Sequence, residues 1–295
     1  MEPFKYIVCT TKNIPDIPPT LDENIRPAVT PDYTVIVLIQ NGLNIEKPII
    51  SAFPTNVVLS GVSFCGSHEV GYGNIVHEDN DELTVGAFHN SKLNSKLEEE
   101  EARKFCEIYG SGGKCIVEYN FDVAWTRWRK LLYNACLNSI CAMIDLDTGR
   151  IQLADGAVDN LVRPAMEEIR AAAKASGYDI PPELVDFIIK IDLITMYNPP
   201  SMQVDIRKVT SCSRIWISAY LITFQGRYCE FENIVGEPLR EGLAKGIPMP
   251  TLTVFYNILM AIQWRLKEKN GLIEIPEPED RTVPNQPLGV KFNSR

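Results

Sequence analysis

The sequence predicts an α/β domain in residues 1–119 followed by an all-helical domain in residues 120–272. Residues 33–40 form a nearly continuous apolar run, which is typical of a parallel strand covered on both faces. The run stops at Asn41-Gly42, a strong turn signal. All other clear strand-like segments also precede residue 120, whereas long segments with helical spacing follow it. Residues 273–295 are rich in proline and mixed charge, so we expect a frayed tail.

The elements follow from local residue patterns. β-Branched and aromatic runs bounded by turn residues predict strands at 4–11, 33–40, 57–62, 74–78, 83–88 and 115–119. A charged helix is predicted at 92–109, and its acidic run at 98–101 is interpreted as a solvated face. Apolar spacing, glycine stops and proline starts predict five further helices, at 121–147, 159–176, 181–197, 230–245 and 251–269.

Composition excludes several classes of protein. The net charge of −9 argues against broad electrostatic binding to nucleic acid. No run of eighteen apolar residues exists, so we expect no membrane span, and the opening residues do not resemble a secretory signal. The eight cysteines are scattered without a Cys-x-x-Cys pair, which favours a reducing, cytoplasmic location over a disulfide framework or a zinc site.

Three polar residues on the longest predicted helix form the main candidate site. Lys130, Asn134 and Asn138 are spaced by four residues, so they share one face amid apolar neighbours. A solvated face would normally carry long Glu and Lys side chains. One lysine with two amides instead suits a recessed site that receives an anionic or carbonyl ligand. The plainer interpretation is an ordinary polar helix edge.

A buried lysine can act as a general acid, because burial lowers its pKa toward neutrality. Such an acid needs a carboxylate, and Glu230 and Glu232 are the candidates, although acidic residues at a helix start commonly just match the helix dipole. Ser201 is expected either to cap a helix or to donate to a ligand carboxylate.

The histidines and the glycine clusters are not interpreted as metal or cofactor sites. The three histidines (His68, His77 and His89) lack metal-ligand spacing, so we expect surface or loop positions and no metal. The glycine clusters at 71–73 and 110–113 do not link a strand to a following helix, so neither can be a dinucleotide phosphate turn.

Taken together, five elements in order resemble the ketopantoate reductases (2-dehydropantoate 2-reductases) across nearly the whole chain. These elements are Lys12 after a strand, Gln40-Asn41-Gly42, the Lys130/Asn134/Asn138 stripe, Ser201-Met202-Gln203-Val204-Asp205, and Glu230-Phe231-Glu232 with Gly236. The resemblance implies a Rossmann-type NADP-binding domain, here partial, and a helical domain like the C-terminal domain of 6-phosphogluconate dehydrogenase.

The resemblance also implies an activity, which is reduction of 2-dehydropantoate to pantoate by NADPH for pantothenate and coenzyme A synthesis. It assigns Lys130 as the proton donor and Glu230 as the residue that orients it. Substrate binding is assigned to Asn134, Asn138 and Ser201, while Asn41 and Lys12 lie on the cofactor side. We also expect a homodimer formed through the helical domain.

The sequence departs from the family pattern in three places. Thr148 replaces an expected asparagine, so a related 2-oxo acid reductase is one alternative. A catalytically dead dimerisation or interaction protein is the other. The family's first βαβ unit, with its glycine-rich turn, is missing from the sequence. We interpret this as a truncated gene model and expect residues 1–295 to bind NADPH poorly.

The third departure is the segment 209–225, which separates two motifs that the family joins by a short connection. Valine codons begin with GT and one glutamine codon is CAG, so the ends of the segment suit a retained intron read in frame. The alternative is a genuine β-hairpin or strand packed on the helical domain. Sequencing the mature transcript separates the two interpretations.

Overall fold

The computed structural model describes residues 2–71, 73–208, 215–217, 220–222 and 228–276. Its centre is a five-stranded sheet, numbered in chain order, with β4 and β5 forming a separate hairpin between β3 and β6. The strands are β1 (Tyr6–Cys9), β2 (Val35–Ile39), β3 (Val58–Phe64), β4 (Ser67–Gly71), β5 (Asn74–His77), β6 (Asp81–Ala87) and β7 (Cys115–Tyr119).

The strand order in the main sheet is β1-β2-β3-β6-β7. Strands β1, β2 and β3 are parallel to one another, β6 runs antiparallel to β3, and β7 is parallel to β6. The predicted parallel strand at residues 33–40 is therefore confirmed. Its carboxyl end is one of three that open on the same edge of the sheet, the edge at which α/β proteins place ligands.

Both faces of β2 are covered, as its apolar run predicts. Val35 and Val37 pack under α3 (Ser95–Gly110), whereas Ile36 and Leu38 pack under α1 (Leu21–Ile25) and α2 (Glu46–Ala52). Alternate side chains point to opposite faces of a strand, so a strand inside two layers must be apolar at every position.

After Tyr119 the described chain is helical, apart from the short antiparallel pair β8 (Ile215–Ile217) and β9 (Tyr220–Ile222). One apolar core joins the helices. They are α4 (Val123–Leu131), α5 (Ser139–Ile144), α6 (Thr148–Leu153), α7 (Arg163–Ala175), α8 (Glu183–Ile189), α9 (Ser201–Lys208), α10 (Glu237–Ala244) and α11 (Pro250–Lys269). The α/β plus all-helical class is thus confirmed. No described helix is both long and apolar enough to cross a bilayer.

Two predictions about helices are wrong. The helix expected at 181–197 ends at Ile189, because the following segment is held by tertiary contacts instead of helical ones. The Asp192 carboxylate accepts a hydrogen bond from the Tyr133 hydroxyl at 2.7 Å, and the Asp192 carbonyl accepts one from Gln152 at 2.9 Å.

The acidic run at 98–101 is not a uniformly solvated face. Glu98 is only 3% exposed and accepts hydrogen bonds from the Asn90 backbone N–H and from His89, both at 2.8 Å. Glu101 accepts from Lys5 and Tyr6 on β1. Two of the four acidic residues therefore fasten α3 to neighbouring segments.

Strand β4 was not predicted from the sequence, because Ser-His-Glu-Val-Gly has no apolar alternation. Its hairpin with β5 is solvent-facing, and His68 and His77 are exposed as expected. Of the segment 209–225, only β8 and β9 lie within the described residues. The retained-intron interpretation concerns the whole segment, most of which lies outside the described residues, so it stays a prediction. In the tail, positions 277–295 also lie outside the described residues.

Candidate active site

The candidate site is built around Lys130 at the end of α4. There the long helix widens into a π-helical turn (Leu132–Asn138) before continuing as α5. Such turns are rare and are often found at functional sites. The Lys130 ammonium group donates a hydrogen bond to the Ser63 carbonyl at the end of β3 and lies 5.2 Å from the centre of the Phe64 ring.

Lys130 opens on a small cavity between the sheet and the helical domain. The cavity has a volume of about 10 Å³, which is room for about one water molecule. Its walls come from the carboxyl end of β2, from β3 and from α4 and the π-helical turn, and the residues are Gln40, Asn41, Gly42, Val62, Arg127, Lys130, Leu131 and Asn134. The structure therefore brings Lys130, Asn41 and Asn134 together, as the sequence predicts.

The surroundings of Lys130 shift its acidity toward neutrality. Burial is the largest cause, and with the positive charge of Arg127 it lowers the pKa of Lys130 to about 8. Lys12 acts in the same direction, whereas Glu230 and Cys65 favour the charged form. Lysine ordinarily titrates near 10.4, so Lys130 can exchange a proton near physiological pH.

Glu230 contacts a different lysine. Its carboxylate accepts hydrogen bonds from Lys12 and from the Asn13 backbone N–H, both at 3.0 Å. Lys12 also pairs with Asp205 at 2.8 Å, and both carboxylates are only 4% exposed. Burial by itself would lower the pKa of Lys12, but the two carboxylates raise it above its usual value. Glu230 acts on Lys130 through its negative charge, and its role in orienting Lys130 stays a prediction.

Asn138 and Ser201 lie together, one helical turn from the cavity. The Asn138 amide donates to the Ser201 hydroxyl at 3.3 Å, and its carbonyl oxygen accepts from the Met202 backbone N–H at 3.1 Å. Asn138 therefore anchors the start of α9. Glu232, the other acidic candidate, accepts hydrogen bonds from Arg240 and Tyr256.

Two further residues line the cavity. Gln40 belongs to the Gln40-Asn41-Gly42 motif, whereas Arg127 was not singled out from the sequence, although it lies three residues before Lys130 on the same helix face. Thr148, the departure from the family pattern, is fully buried and donates to the Asn198 carbonyl at 3.1 Å. No described group of three or more His, Cys, Asp or Glu side chains could hold a metal ion.

Comparison with known families gives matches in both halves of the chain. The family model described as ketopantoate reductase PanE/ApbA matches residues 1–90, and the model of the C-terminal domain of the same family matches residues 122–224. An uncharacterized protein of Saccharomyces cerevisiae is 33% identical over 93% of this chain and 76% of its own length. A 2-dehydropantoate 2-reductase of Nostoc is 24% identical over 82% of this chain and 69% of its own.

Solved structures agree with this assignment. A 2-dehydropantoate 2-reductase of Methylococcus capsulatus has a TM-score of 0.70 at 25% identity, covering 90% of this chain and 76% of its own. A D-mandelate dehydrogenase solved with NADH and anilino(oxo)acetate has a TM-score of 0.72 at 18% identity, covering 90% of this chain and 79% of its own, and shares the fold. With both domains matched and a lysine site at their junction, the chain belongs to the ketopantoate reductase family of oxidoreductases.

Proposed function

We propose that this protein is an NADPH-dependent 2-dehydropantoate 2-reductase, which forms (R)-pantoate for pantothenate and coenzyme A synthesis. The observation that carries the proposal is Lys130, a lysine with a pKa of about 8 that shares a cavity with Asn41 and Asn134. The cavity lies at the carboxyl end of a parallel strand, where α/β enzymes bind their ligands. Family membership gives the reaction class.

Lys130 is the proposed general acid. Reduction of a ketone builds negative charge on the carbonyl oxygen, and a nearby ammonium group both stabilises this charge and delivers the proton. The lowered pKa of Lys130 reduces the free-energy cost of giving up that proton near pH 7 to 8. Glu230 is the proposed positioning carboxylate, and it would shift between Lys12 and Lys130 as substrate enters.

The substrate's carboxylate and hydroxyl group are assigned to the polar stripe beyond Lys130. Asn134 lines the cavity, and the Asn138–Ser201 pair lies one turn further along the helix. These side chains offer neutral donors and acceptors, two of them buried (Asn134 and Asn138) and one exposed (Ser201), which suits a short polar acid that enters from solvent. Because the cavity holds only about 10 Å³, substrate entry requires the sheet and the helical domain to separate slightly.

A reduced nicotinamide cofactor would supply the hydride. The described residues could contact the nicotinamide end of this cofactor only. Asn41 at the end of β2 and Lys12 at the end of β1 face the junction, as the family resemblance implies. Among the described residues no glycine-rich turn leads from a strand into a helix, so we assign no pyrophosphate contact. We also propose that the protein uses NADPH in preference to NADH.

We further propose a cytoplasmic homodimer. The seven described cysteines are free thiols, as suits a reducing compartment. On the helical domain, α11 exposes the apolar residues Val254, Ile258 and Trp264, which a second copy would cover. Light scattering should give the mass of a dimer, and a monomer at micromolar concentration would contradict this.

A matched pair of substrates tests the proposed activity. We expect kcat/KM for 2-dehydropantoate to exceed that for 3,3-dimethyl-2-oxobutanoate, which lacks only the hydroxyl group, by about a hundredfold or more. A site built to hydrogen-bond a hydroxyl rejects the analogue that lacks it, because buried polar groups then stay unpaired. NADH in place of NADPH should lower the rate. Equal rates for the two acids would favour a related 2-oxo acid reductase, and no turnover of either would favour an interaction protein.

A further inference from the structure

A buried arginine next to Lys130 makes an unusual number of contacts. Arg127 is 4% exposed and forms an ion pair with Glu46, which is 0% exposed, at 2.8 Å. The same guanidinium group donates to the Gln40 carbonyl at 3.0 Å and to the Gly42 carbonyl at 2.9 Å. Arg127 thus belongs to the helical domain but donates its hydrogen bonds to residues of the α/β domain.

The contacts extend over two strands. Arg127 donates to the Ser60 hydroxyl at 2.6 Å and lies 3.4 Å from the carbonyl oxygens of Leu38 and Gly61. Leu38 is near the end of β2 and Gly61 is in the middle of β3, so one planar guanidinium group joins the two neighbouring strands beneath the cavity. Only arginine has several donors in a rigid plane that could satisfy this set.

We propose that Arg127 is a positioning residue of the active site, which clamps the end of β2 to the middle of β3 under Lys130 and places a positive charge beside it. The inference rests on the proposed reductase function and deepens it. Two roles are combined in one side chain, because the clamp fixes the wall that carries Asn41 and the positive charge repels the neighbouring ammonium group.

The charged groups around Lys130 support the proposed electrostatic effect of Arg127. Arg127 and Lys12 oppose its positive charge, while Glu230 and Cys65 favour it. Glu46 balances the charge of Arg127, which allows a buried arginine to persist at this point.

Competitive acetylation tests the charge without any substrate. The full chain is labelled with trace acetic anhydride across a pH series, and the labelled Lys130 peptide is quantified by mass spectrometry against the exposed Lys96. Two variants are compared, E46Q and E46Q/R127M. The second lacks both the charge and the donors of residue 127, and R127K, which keeps the charge, separates the two losses. We expect Lys130 labelling at pH 7.5 to be at least about threefold lower in the double variant, since two charges a few ångströms apart in a protein interact by about 1 kcal/mol.

The clamp is tested with R127K, which keeps the charge but loses the planar donors. We expect the pH midpoint of Lys130 labelling to stay at its wild-type value. Hydrogen exchange of the peptide 36–42 should accelerate, and kcat/KM should fall about tenfold. R129Q is the matched control, because Arg129 lies on the same helix over the Phe64 ring at 5.3 Å and should change neither labelling nor exchange.

Equal Lys130 midpoints in E46Q and E46Q/R127M, with circular dichroism showing both folded, would overturn the proposal. If the double variant does not fold, R127K decides, and unchanged hydrogen exchange at 36–42 would overturn the clamp. The labelling and exchange results do not depend on turnover. Failure of the proposed reductase activity therefore stays distinguishable from failure of this inference.

Discussion

At the scale of single residues, the site depends on what burial does to one lysine. Lys130 is the member of the polar stripe whose chemistry changes on folding, because burial and Arg127 both oppose its charge. The two asparagines cannot titrate, and the structure uses one of them, Asn138, to hold the start of α9. The stripe therefore combines one reactive group with neutral groups that bind or position.

Replacing Lys130 by alanine in an otherwise complete protein removes the proposed proton donor. We expect kcat to fall about a hundredfold or more, which is the usual contribution of a general acid, while the fold is retained. Steady-state kinetics with 2-dehydropantoate measure the loss, and circular dichroism checks the fold. An unchanged kcat would remove Lys130 from the mechanism.

The pH dependence of catalysis should report the same lysine. The acid form of Lys130 is the active one, so kcat/KM should be level near pH 7 and fall tenfold per pH unit above a midpoint near pH 8. Because folding lowers this pKa from its ordinary value, the fall begins well below pH 10. A profile that stays flat to pH 9.5 would contradict a lowered pKa at the proton donor.

At the scale of elements, the turn after β2 brings the sheet into contact with the helical domain. Gly42 has a φ of +107°, and a Cβ atom there would lie 2.5 Å from the Cβ atom of Asn233. The adjacent Leu43 backbone N–H donates to the Asn233 carbonyl at 2.9 Å. A side chain at position 42 would therefore conflict with both the backbone conformation and the domain contact.

A pair of glycine substitutions separates these two effects. Gly113 also has a positive φ, of +64°, but nothing lies within 4 Å of a Cβ atom built there. We expect Gly113→Ala to cost about 1 kcal/mol from backbone strain alone, and Gly42→Ala to cost at least about 3 kcal/mol. Thermal melting measures both. Equal melting temperatures for the two variants would show that the contact with Asn233 adjusts at little cost.

At the scale of the whole molecule, charged contacts join the two domains. Lys12 reaches both Asp205 and Glu230, two buried carboxylates of the helical domain, whereas Lys47 pairs with Glu241 near the surface at 2.7 Å. A pair with buried carboxylates and a more exposed pair thus connect the same two domains, and they differ in how much the loss of the lysine should cost.

Replacing Lys12 by methionine would remove the cation that two buried carboxylates, Asp205 and Glu230, share. We expect a loss of about 3–5 kcal/mol of unfolding free energy at pH 7, compared with less than about 1 kcal/mol for Lys47→Met. The folded pKa of Lys12 is raised, so its contribution is fully present below the ordinary lysine pKa and disappears at higher pH. Denaturant unfolding at pH 7 measures both variants. Similar losses in the two would contradict the role of the buried pair.

The sequence by itself determined the fold class and most of the candidate site. The apolar run of β2 and the four-residue spacing of Lys130, Asn134 and Asn138 are local patterns, because a residue's face on a strand or helix is set by its position in that element. Together with the Gln40-Asn41-Gly42 turn, they predicted Asn41, Lys130 and Asn134, which line the cavity, whereas Arg127 lines it without having been predicted.

Only the tertiary structure decided which charges meet. Lys12 and Glu230 are 218 residues apart, and Arg127 reaches strands that lie 66 to 89 residues earlier in the chain. The end of α8 at Ile189 and the burial of Glu98 were decided in the same way. Such pairings depend on how the domains pack, because a long charged side chain binds whatever partner the fold brings within reach. Local residue spacing does not predict which distant residues come together.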